Sequence, residues 1–256
     1  MLFFKIIMPQ LKIIFPEEFN CFKRRRDKGR EIVYRLERKS SIKNIIESLG
    51  VPHTEIGKIV AGDKEVDFNY IPVNSQHITV LPIIPPFDVL KPSVLRPKPL
   101  QKMRFVVDVN VGKLALLLRM LGLDSQYSPK FSDKDILFLC QKEKRIVLSK
   151  DTGMLECKQI IFGRHVRSVY PADQLSEVLN FFGIKGPFNL FSRCLRCNKK
   201  LVPINKKDIM HRLEPKTKKY FNRFKICLQC SRIYWRGSHY EKMKSRLLKS
   251  GMEILR

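Results

Sequence analysis

Four cysteines have the spacing of a zinc site. Cys194-x-x-Cys197 and Cys227-x-x-Cys230 form two pairs separated by 29 residues. Each pair can present two thiolates to one ion, and together they complete the tetrahedral four-sulfur shell of a structural Zn²⁺. Such a shell has no open coordination position, so we expect the zinc to stabilise the fold and to take no part in a reaction.

Aspartates at strand and helix ends are candidates for a second metal site. Asp108 and Asp151 each follow an apolar run of the strand type, and Asp133, or Asp135 in the same turn, begins a helical stretch. Carboxylates in one cleft repel each other unless a cation holds them, and Mg²⁺ or Mn²⁺ prefers such oxygens together with substrate phosphate. A single Asp after a strand more often caps a helix. Three together in a basic chain favour a metal site of the nuclease type.

The elements around these aspartates predict a parallel α/β sheet. The strand segments 104–107 and 145–148 alternate with helices that begin near Gly112 and Asp133. Such alternation places parallel strands side by side, and ligands bind beyond the carboxyl ends of the strands. We therefore expect the aspartates to line one crevice.

The first third of the chain predicts an α+β domain. Strand patterns cover four stretches, 10–15, 31–36, 56–61 and 77–81. Ser41 can cap a helix that Gly50 ends, so the order is that of a β-grasp fold. The segment SLGVPHTEIGKIVAGDKEVDF, with the closing HITVLP, resembles the ubiquitin-like domain related to sulfur carriers and the small subunit of molybdopterin synthase. Those carriers need a C-terminal Gly-Gly tail, whereas this last strand runs into prolines, so a carrier function is not expected.

The charge of the chain indicates a polyanionic partner. It has 50 Lys and Arg against 24 Asp and Glu, a net charge of +26 in 256 residues, which exceeds what solubility requires. Residues 190–256 alone hold 19 basic residues against four acidic ones. With the proline-rich stretch as a linker, the expected organisation is a β-grasp domain (1–86), a linker (87–101), a parallel-sheet domain (102–189) and a zinc ribbon with a basic tail (190–256).

Composition also excludes several classes of protein. Hydrophobic residues make up 44% of the chain, enough for a core, so disorder is not its main state. No run approaches the roughly 20 apolar residues of a membrane span. The start, MLFFKIIM, has no small-residue cleavage site, and either Met1 or Met8 can be the true start. We therefore expect a cytoplasmic protein without a membrane partner.

Five segments resemble the Mut-seven C-terminal RNase domain family, a branch of the PIN-like nucleases. They span residues 103–245 and read VVDVNVGKLALLLRMLGLDS, FSDKDIL, RIVLSKD, FSRCLRCN and CLQCSRIYWRGSHYEKM. An upstream ubiquitin-like domain is a recognised architecture in that family. The resemblance implies a PIN-like α/β domain with a C-terminal zinc ribbon and metal-dependent cleavage of RNA.

The resemblance also implies roles for the acids. Asp108 matches the first catalytic acid, and Asp151 matches the acid of the family's T-R-D element, here Ser149-Lys150-Asp151. The acid at the helix start falls on Asp133, with Asp135 as the alternative. These four carboxylates are the expected Mg²⁺ or Mn²⁺ ligands.

Basic residues follow the first acid. Lys113 and Arg119 match basic positions of the family and are expected to contact phosphate, with Lys113 close enough to the crevice to join the catalytic set. Both could instead be ordinary helix surface. Members of the family often have an acid directly after the first Asp, where this chain has Val109 and then Asn110.

Aromatic residues alternate with cations around the zinc ribbon. This pattern suits single-stranded RNA, because bases stack on aromatic planes while cations hold the backbone, although several of the aromatics must form the small core. His239 is suggested by the family motif, and its alternative role is as a neighbour of a helix cap. The candidates for RNA contact, besides Lys113 and Arg119, are Arg193, Arg232, Trp235, Arg236 and His239.

The expected function is hydrolysis of RNA phosphodiesters by a metal-dependent ribonuclease. One or two Mg²⁺ or Mn²⁺ ions held by Asp108, Asp133 and Asp151 would activate water and stabilise the departing oxygen. The first alternative is a non-catalytic RNA-binding protein that keeps the PIN-like fold, which the neutral Val109 and Asn110 favour. The second is a sulfur-transfer or tagging factor, against which the missing Gly-Gly tail argues. The partner of the β-grasp domain stays open.

Overall fold

The computed structural model describes residues 9–23 and 31–249. Three separate sheets organise this part of the chain. None of its helices combines the length and the apolar character that crossing a membrane requires.

The first sheet has five strands and packs against one helix. The strands are β1 (Gln10–Ile14), β2 (Ile32–Arg35), β3 (Ile56–Ala61), β4 (Lys64–Glu65) and β5 (His77–Pro82). Their order is β2-β1-β5-β3-β4, with β1 and β5 parallel and the other neighbours antiparallel. Helix α1 (Ile42–Ser48) begins after Ser41, whose hydroxyl accepts the Asn44 N–H, and its isoleucines are buried in the core under the sheet. The predicted β-grasp arrangement is confirmed.

The second sheet has four parallel strands in the order β7-β6-β8-β9. The strands are β6 (Phe105–Val107), β7 (Ser125–Gln126), β8 (Ile146–Ser149) and β9 (Gly163–His165), and the helices are α2 (Gly112–Met120), α3 (Asp133–Glu143), α4 (Thr152–Glu156) and α5 (Pro171–Phe181). Phe105 and Val107 pack with α2 and α5, whereas Val106 packs with α3 and α4. Because helices cover both faces, the predicted α/β fold is confirmed.

The third sheet forms a ribbon around the cysteines. Three antiparallel strands run in the order β10-β11-β12. They are β10 (Val202–Ile204), β11 (Phe224–Ile226) and β12 (Ile233–Tyr234), and the helices of this region are α6 (Lys206–Ile209), α7 (Pro215–Tyr220) and α8 (Ser238–Lys249). Phe191 before the ribbon, and Tyr240 and Met243 of α8 after it, pack in the core of the second sheet, so the ribbon is anchored at both its ends.

Arg96 ties the β-grasp domain to the parallel-sheet domain. The segment 87–101 has no helix or strand, but Arg96 within it is only 2% exposed. Its guanidinium donates to the carbonyls of His53, Thr54 and Ile56 at 2.8–3.1 Å, and its Nε donates to the carbonyl of Ile161 at 3.2 Å. The expected linker is therefore packed between the two domains.

Glu55 closes the free edge of the second sheet. Strand β9 is an edge strand, so the outward backbone N–H of His165 has no strand partner. The Glu55 carboxylate, 2% exposed, accepts this N–H at 2.8 Å and pairs with Arg164 at 2.5 Å. The β-grasp domain thus covers the strand that lies beside β8, which carries the Ser149–Asp151 segment.

Candidate active site and zinc centre

Asp108 lies at the carboxyl end of β6, and its carboxylate accepts hydrogen bonds from three neighbouring groups. It is 5% exposed. Its Oδ1 accepts the Val109 N–H at 2.6 Å, and its Oδ2 accepts the Ser149 hydroxyl at 2.6 Å and the Asn110 side-chain amide at 2.7 Å. The carboxylate caps the short 3₁₀ helix 109–111 and is held in one orientation from three sides.

Ser149 and Asn110 join the ends of the two central strands. The Ser149 hydroxyl donates to Asp108 and accepts the backbone N–H of Asp151 at 2.8 Å. The Asn110 amide oxygen accepts the Lys150 N–H at 3.1 Å. Ser149 was not among the residues predicted to act, although a hydroxyl two positions before an acid at a strand end is the signal that could have identified it. Hydrogen bonds therefore connect the Asp108 carboxylate, through the Ser149 hydroxyl, to the backbone N–H of Asp151.

Asp151 and Asp133 are exposed at the starts of helices beside this chain. Asp151 caps α4, its Oδ1 accepting the Gly153 N–H at 2.8 Å, and Asp133 is the first residue of α3. Burial raises the pKa of the Cys157 thiol, and the negative charges of both aspartates raise it further. Both aspartates lie at the starts of helices that pack on the same face of the second sheet.

The three candidate acids do not form a tight ligand set in the described part of the chain. In the described part of the chain, the carboxylate oxygens of Asp108, Asp133 and Asp151 do not form a group within 4.8 Å of one another. Asp135 turns back to cap its own helix, because its Oδ2 accepts both the backbone N–H and the hydroxyl of Ser132 at 2.7–2.8 Å. The alternative acid is thus engaged locally, and Asp133 is the acid left open.

Lys113 and Arg119 have different positions on α2. Lys113 is exposed in the first turn, beside the segment that follows Asp108. Arg119 is 1% exposed, and it donates to the carbonyls of Ser125, Tyr127, Leu195 and Arg196 at 2.7–3.2 Å. The prediction that Arg119 contacts RNA phosphate is wrong, because its guanidinium is enclosed between α2, β7 and the zinc ribbon.

The prediction that Arg193 contacts RNA is also wrong, because other groups of the protein engage its guanidinium. Its guanidinium donates to the carbonyls of Gly122 and Asn198 and lies 3.2 Å from the Asp124 carboxylate. Asp124 also accepts from Arg145 and from the Asn198 side chain. These groups form a polar joint at the amino ends of β7 and β8, so Arg193 fastens the ribbon to the parallel sheet at the edge opposite the acids.

The four cysteines converge on one point. Their Sγ atoms all lie within 4.8 Å of one another, and those of Cys194 and Cys230 are 3.6 Å apart. Tyr234, expected only as an aromatic of the ribbon, places its hydroxyl 3.2 Å from Cys194 Sγ. Burial opposes ionisation of Cys194, but hydrogen bonds from Tyr234 and from backbone N–H groups outweigh it and lower the pKa of this thiol to about 7. The donor set fits a structural Zn²⁺.

The other predicted RNA-contact residues lie on the surface of the ribbon. Arg232 and Arg236 are exposed, and Trp235 is 38% exposed. His239 belongs to α8, but its side chain lies outside the described part of the chain. Three of the named contacts are thus available to a ligand.

Comparison with known families gives two matches. The Mut7-C RNAse domain matches residues 103–247, more than half of the chain, and the Mut7-C ubiquitin domain matches residues 8–88. No curated protein and no solved structure matches the chain. The first match covers both the Asp108–Ser149–Asp151 segment and the four-cysteine cluster. The chain therefore belongs to the Mut7-C RNAse domain family and carries the family's ubiquitin-like domain ahead of that domain.

Proposed function

We propose that this protein is a ribonuclease whose hydrolytic site is the carboxyl edge of the parallel sheet. One observation carries the proposal: Asp108 and Asp151, at the ends of neighbouring parallel strands, are linked through Ser149, with the exposed Asp133 on the same side. This edge is where open α/β sheets bind ligands. Membership of an RNase domain family supports RNA as the substrate.

A divalent ion fits the chemistry of these donors. Asp133 and Asp151 are exposed. In the described structure no hydrogen bond engages the Asp133 carboxylate or Oδ2 of Asp151, so these oxygens are open to a cation. Asp108 would contribute from a fixed position. Bound there, Mg²⁺ or Mn²⁺ would supply activated water and would neutralise the charge that develops on the phosphate.

Other residues of the chain orient the Asp108 carboxylate or bind the RNA. Ser149 and Asn110 hold the Asp108 carboxylate in place, so its position does not depend on solvent. Lys113, exposed in the first turn of α2, is placed to contact a phosphate of the RNA beside the acids. The basic zinc ribbon grips the RNA elsewhere, and its zinc stabilises the fold.

Neutralising the exposed acids tests this proposal. Asp133→Asn and Asp151→Asn keep the size of each side chain and remove the charge that would hold the cation, so cleavage of labelled RNA in Mn²⁺ should fall by at least about tenfold. Asp135→Asn is the matched control, because Asp135 lies in the same helical turn as Asp133 but serves as a cap. Its cleavage rate should equal that of the wild type. Wild-type rates in both active-site variants would refute the assignment.

A non-catalytic RNA-binding protein is the second candidate. Two observations favour it: Asp108 is nearly buried and already accepts three hydrogen bonds, and the three acids do not close within 4.8 Å. In that case the wild type binds RNA and cleaves none in either metal. The same assay therefore distinguishes the two functions.

A further inference from the structure

A large groove lies on the zinc ribbon, and none of the candidate acids lines it. Its volume is about 1300 Å³, and it is formed by α7, β11, β12 and α8 together with the segment that enters the ribbon. We call it the ribbon groove. Its exposed aromatic side chains are Tyr220 (66% exposed) and Trp235 (38% exposed).

Cations without acidic partners surround these aromatics. Arg223, Lys225, Arg232 and Arg236 line the ribbon groove, and Glu214 is the single acidic residue among its described lining. None of the four cations forms an ion pair with a carboxylate in the described part of the chain. The groove therefore has a positive charge that its own residues leave unbalanced.

We propose that the ribbon groove binds an unpaired segment of RNA, with bases stacked on Tyr220 and Trp235 and phosphates held by the surrounding cations. This inference rests on the proposed function, because it names the class of RNA that the nuclease takes. Exposed aromatic planes next to unpaired cations match bases and phosphates at once. A duplex keeps its bases stacked inside the helix and offers this groove only phosphates, and an acidic protein does not carry a planar ring beside each of its negative charges as a nucleic acid does.

The position of the groove adds a requirement on the substrate. Its wall includes Phe191, whose N–H donates to the carbonyl of Met120, the last residue of α2. The acids lie beyond the first residue of α2. A nine-residue helix is about 13 Å long. RNA bound beside Phe191 would therefore have to span about the length of α2 for its backbone to reach the acids.

Binding of the full-length protein to defined RNAs tests the inference without any cleavage. The probes are a fluorescently labelled unstructured RNA oligonucleotide, a duplex of the same length and heparin, measured by anisotropy without added divalent metal. Tyr220→Ala should weaken binding of the unstructured RNA about tenfold, or about 1.4 kcal/mol, the size of effect expected for the loss of one stacked base. Binding of duplex and heparin should not change. Tyr170→Ala, which removes an aromatic that is 70% exposed on the RNase domain, is the matched control.

Two variants of Trp235 distinguish the loss of a stacking plane from misfolding of the protein. Trp235→Phe keeps a stacking plane and should bind within about threefold of the wild type, whereas Trp235→Ala should lose about tenfold. Zinc content shows whether each variant is folded. The inference is overturned if Tyr220→Ala binds unstructured RNA as the wild type does, or if it loses affinity for RNA, duplex and heparin alike. If the protein binds these RNAs as described but cleaves none of them, the proposed nuclease activity is refuted and the proposed binding of RNA in the ribbon groove is retained.

Discussion

Mutation of Arg119 distinguishes two roles for this residue, a contact with RNA at the surface and stabilisation of the fold from the interior. On a helix that leaves a catalytic acid, a basic residue suggests a phosphate contact, and removing it should weaken RNA binding without affecting stability. The structure instead encloses Arg119, which donates four hydrogen bonds to carbonyls of α2's neighbours and the zinc ribbon. Arg119→Met keeps much of the side-chain length and removes every donor.

The magnitude follows from these four bonds. Each hydrogen bond from a charged group contributes about 1.5–3 kcal/mol, but burying the guanidinium has its own cost, and burial indeed lowers its pKa. Arg119→Met leaves these carbonyls without their donor, and each buried polar group left unsatisfied costs about 1–3 kcal/mol. A loss near 4 kcal/mol in a chain of this size should lower Tm by roughly 10 °C.

The assay compares two variants of the same helix. Thermal unfolding, followed by circular dichroism and by release of zinc to a chromogenic chelator, should show Arg119→Met unfolding well below the wild type, with zinc lost early. Lys113→Met, at the exposed start of α2, should unfold at the wild-type temperature and bind RNA less tightly. If Arg119→Met kept the wild-type Tm and lost only RNA affinity, the scaffolding role would be refuted.

Three further predictions concern other parts of the structure. Arg96→Met should destabilise the chain by several kcal/mol and expose the segment 87–101 to limited proteolysis, whereas Lys98→Met, an exposed control in that segment, should do neither. Cys197→Ser should abolish zinc binding measured by atomic absorption and unfold the ribbon, because a structural zinc site supplies folding free energy directly. Burial raises the pKa of Glu177, but N–H groups of Ser168 and Arg167 and the charge of Arg164 outweigh it and hold this pKa below 4.5. Its stabilisation is therefore present above the usual pKa of a glutamate and is lost as pH falls through the lowered pKa, so Glu177→Gln should lower Tm at pH 7 and make progressively less difference as the solution is acidified.

The sequence predicted the parts of the site that depend on local patterns. Apolar runs located β6 and β8, and their ends placed Asp108 and Asp151 at one edge, since parallel strands share an edge. The spacing of Cys194 and its three partners was enough for the zinc cluster. The alternative role of the aspartates was also correct in part, because both cap helices as well as lying at the candidate site.

The contacts between domains could not be predicted in this way. Arg119 meets carbonyls that lie 76 and 77 residues further along the chain, and Glu55 meets Arg164 across 109 residues. Helical periodicity shows that a face is apolar, but it does not show that a ribbon will cover the polar residue beside that face. Strands β7 and β9 have only two and three residues, too few for a period to be recognised.

Cleavage of RNA by the purified wild-type protein tests the central claim most directly. A labelled unstructured RNA, long enough to reach from the ribbon groove to the acids, is incubated with the zinc-loaded protein in Mg²⁺, in Mn²⁺ and without divalent metal, with Asp151→Asn in parallel. We expect cleavage by the wild type in at least one of the two metals, none without metal, and cleavage by Asp151→Asn that is at least about tenfold slower although this variant binds the RNA as tightly. Intact RNA in every wild-type reaction, or equal cleavage by Asp151→Asn, would contradict this claim.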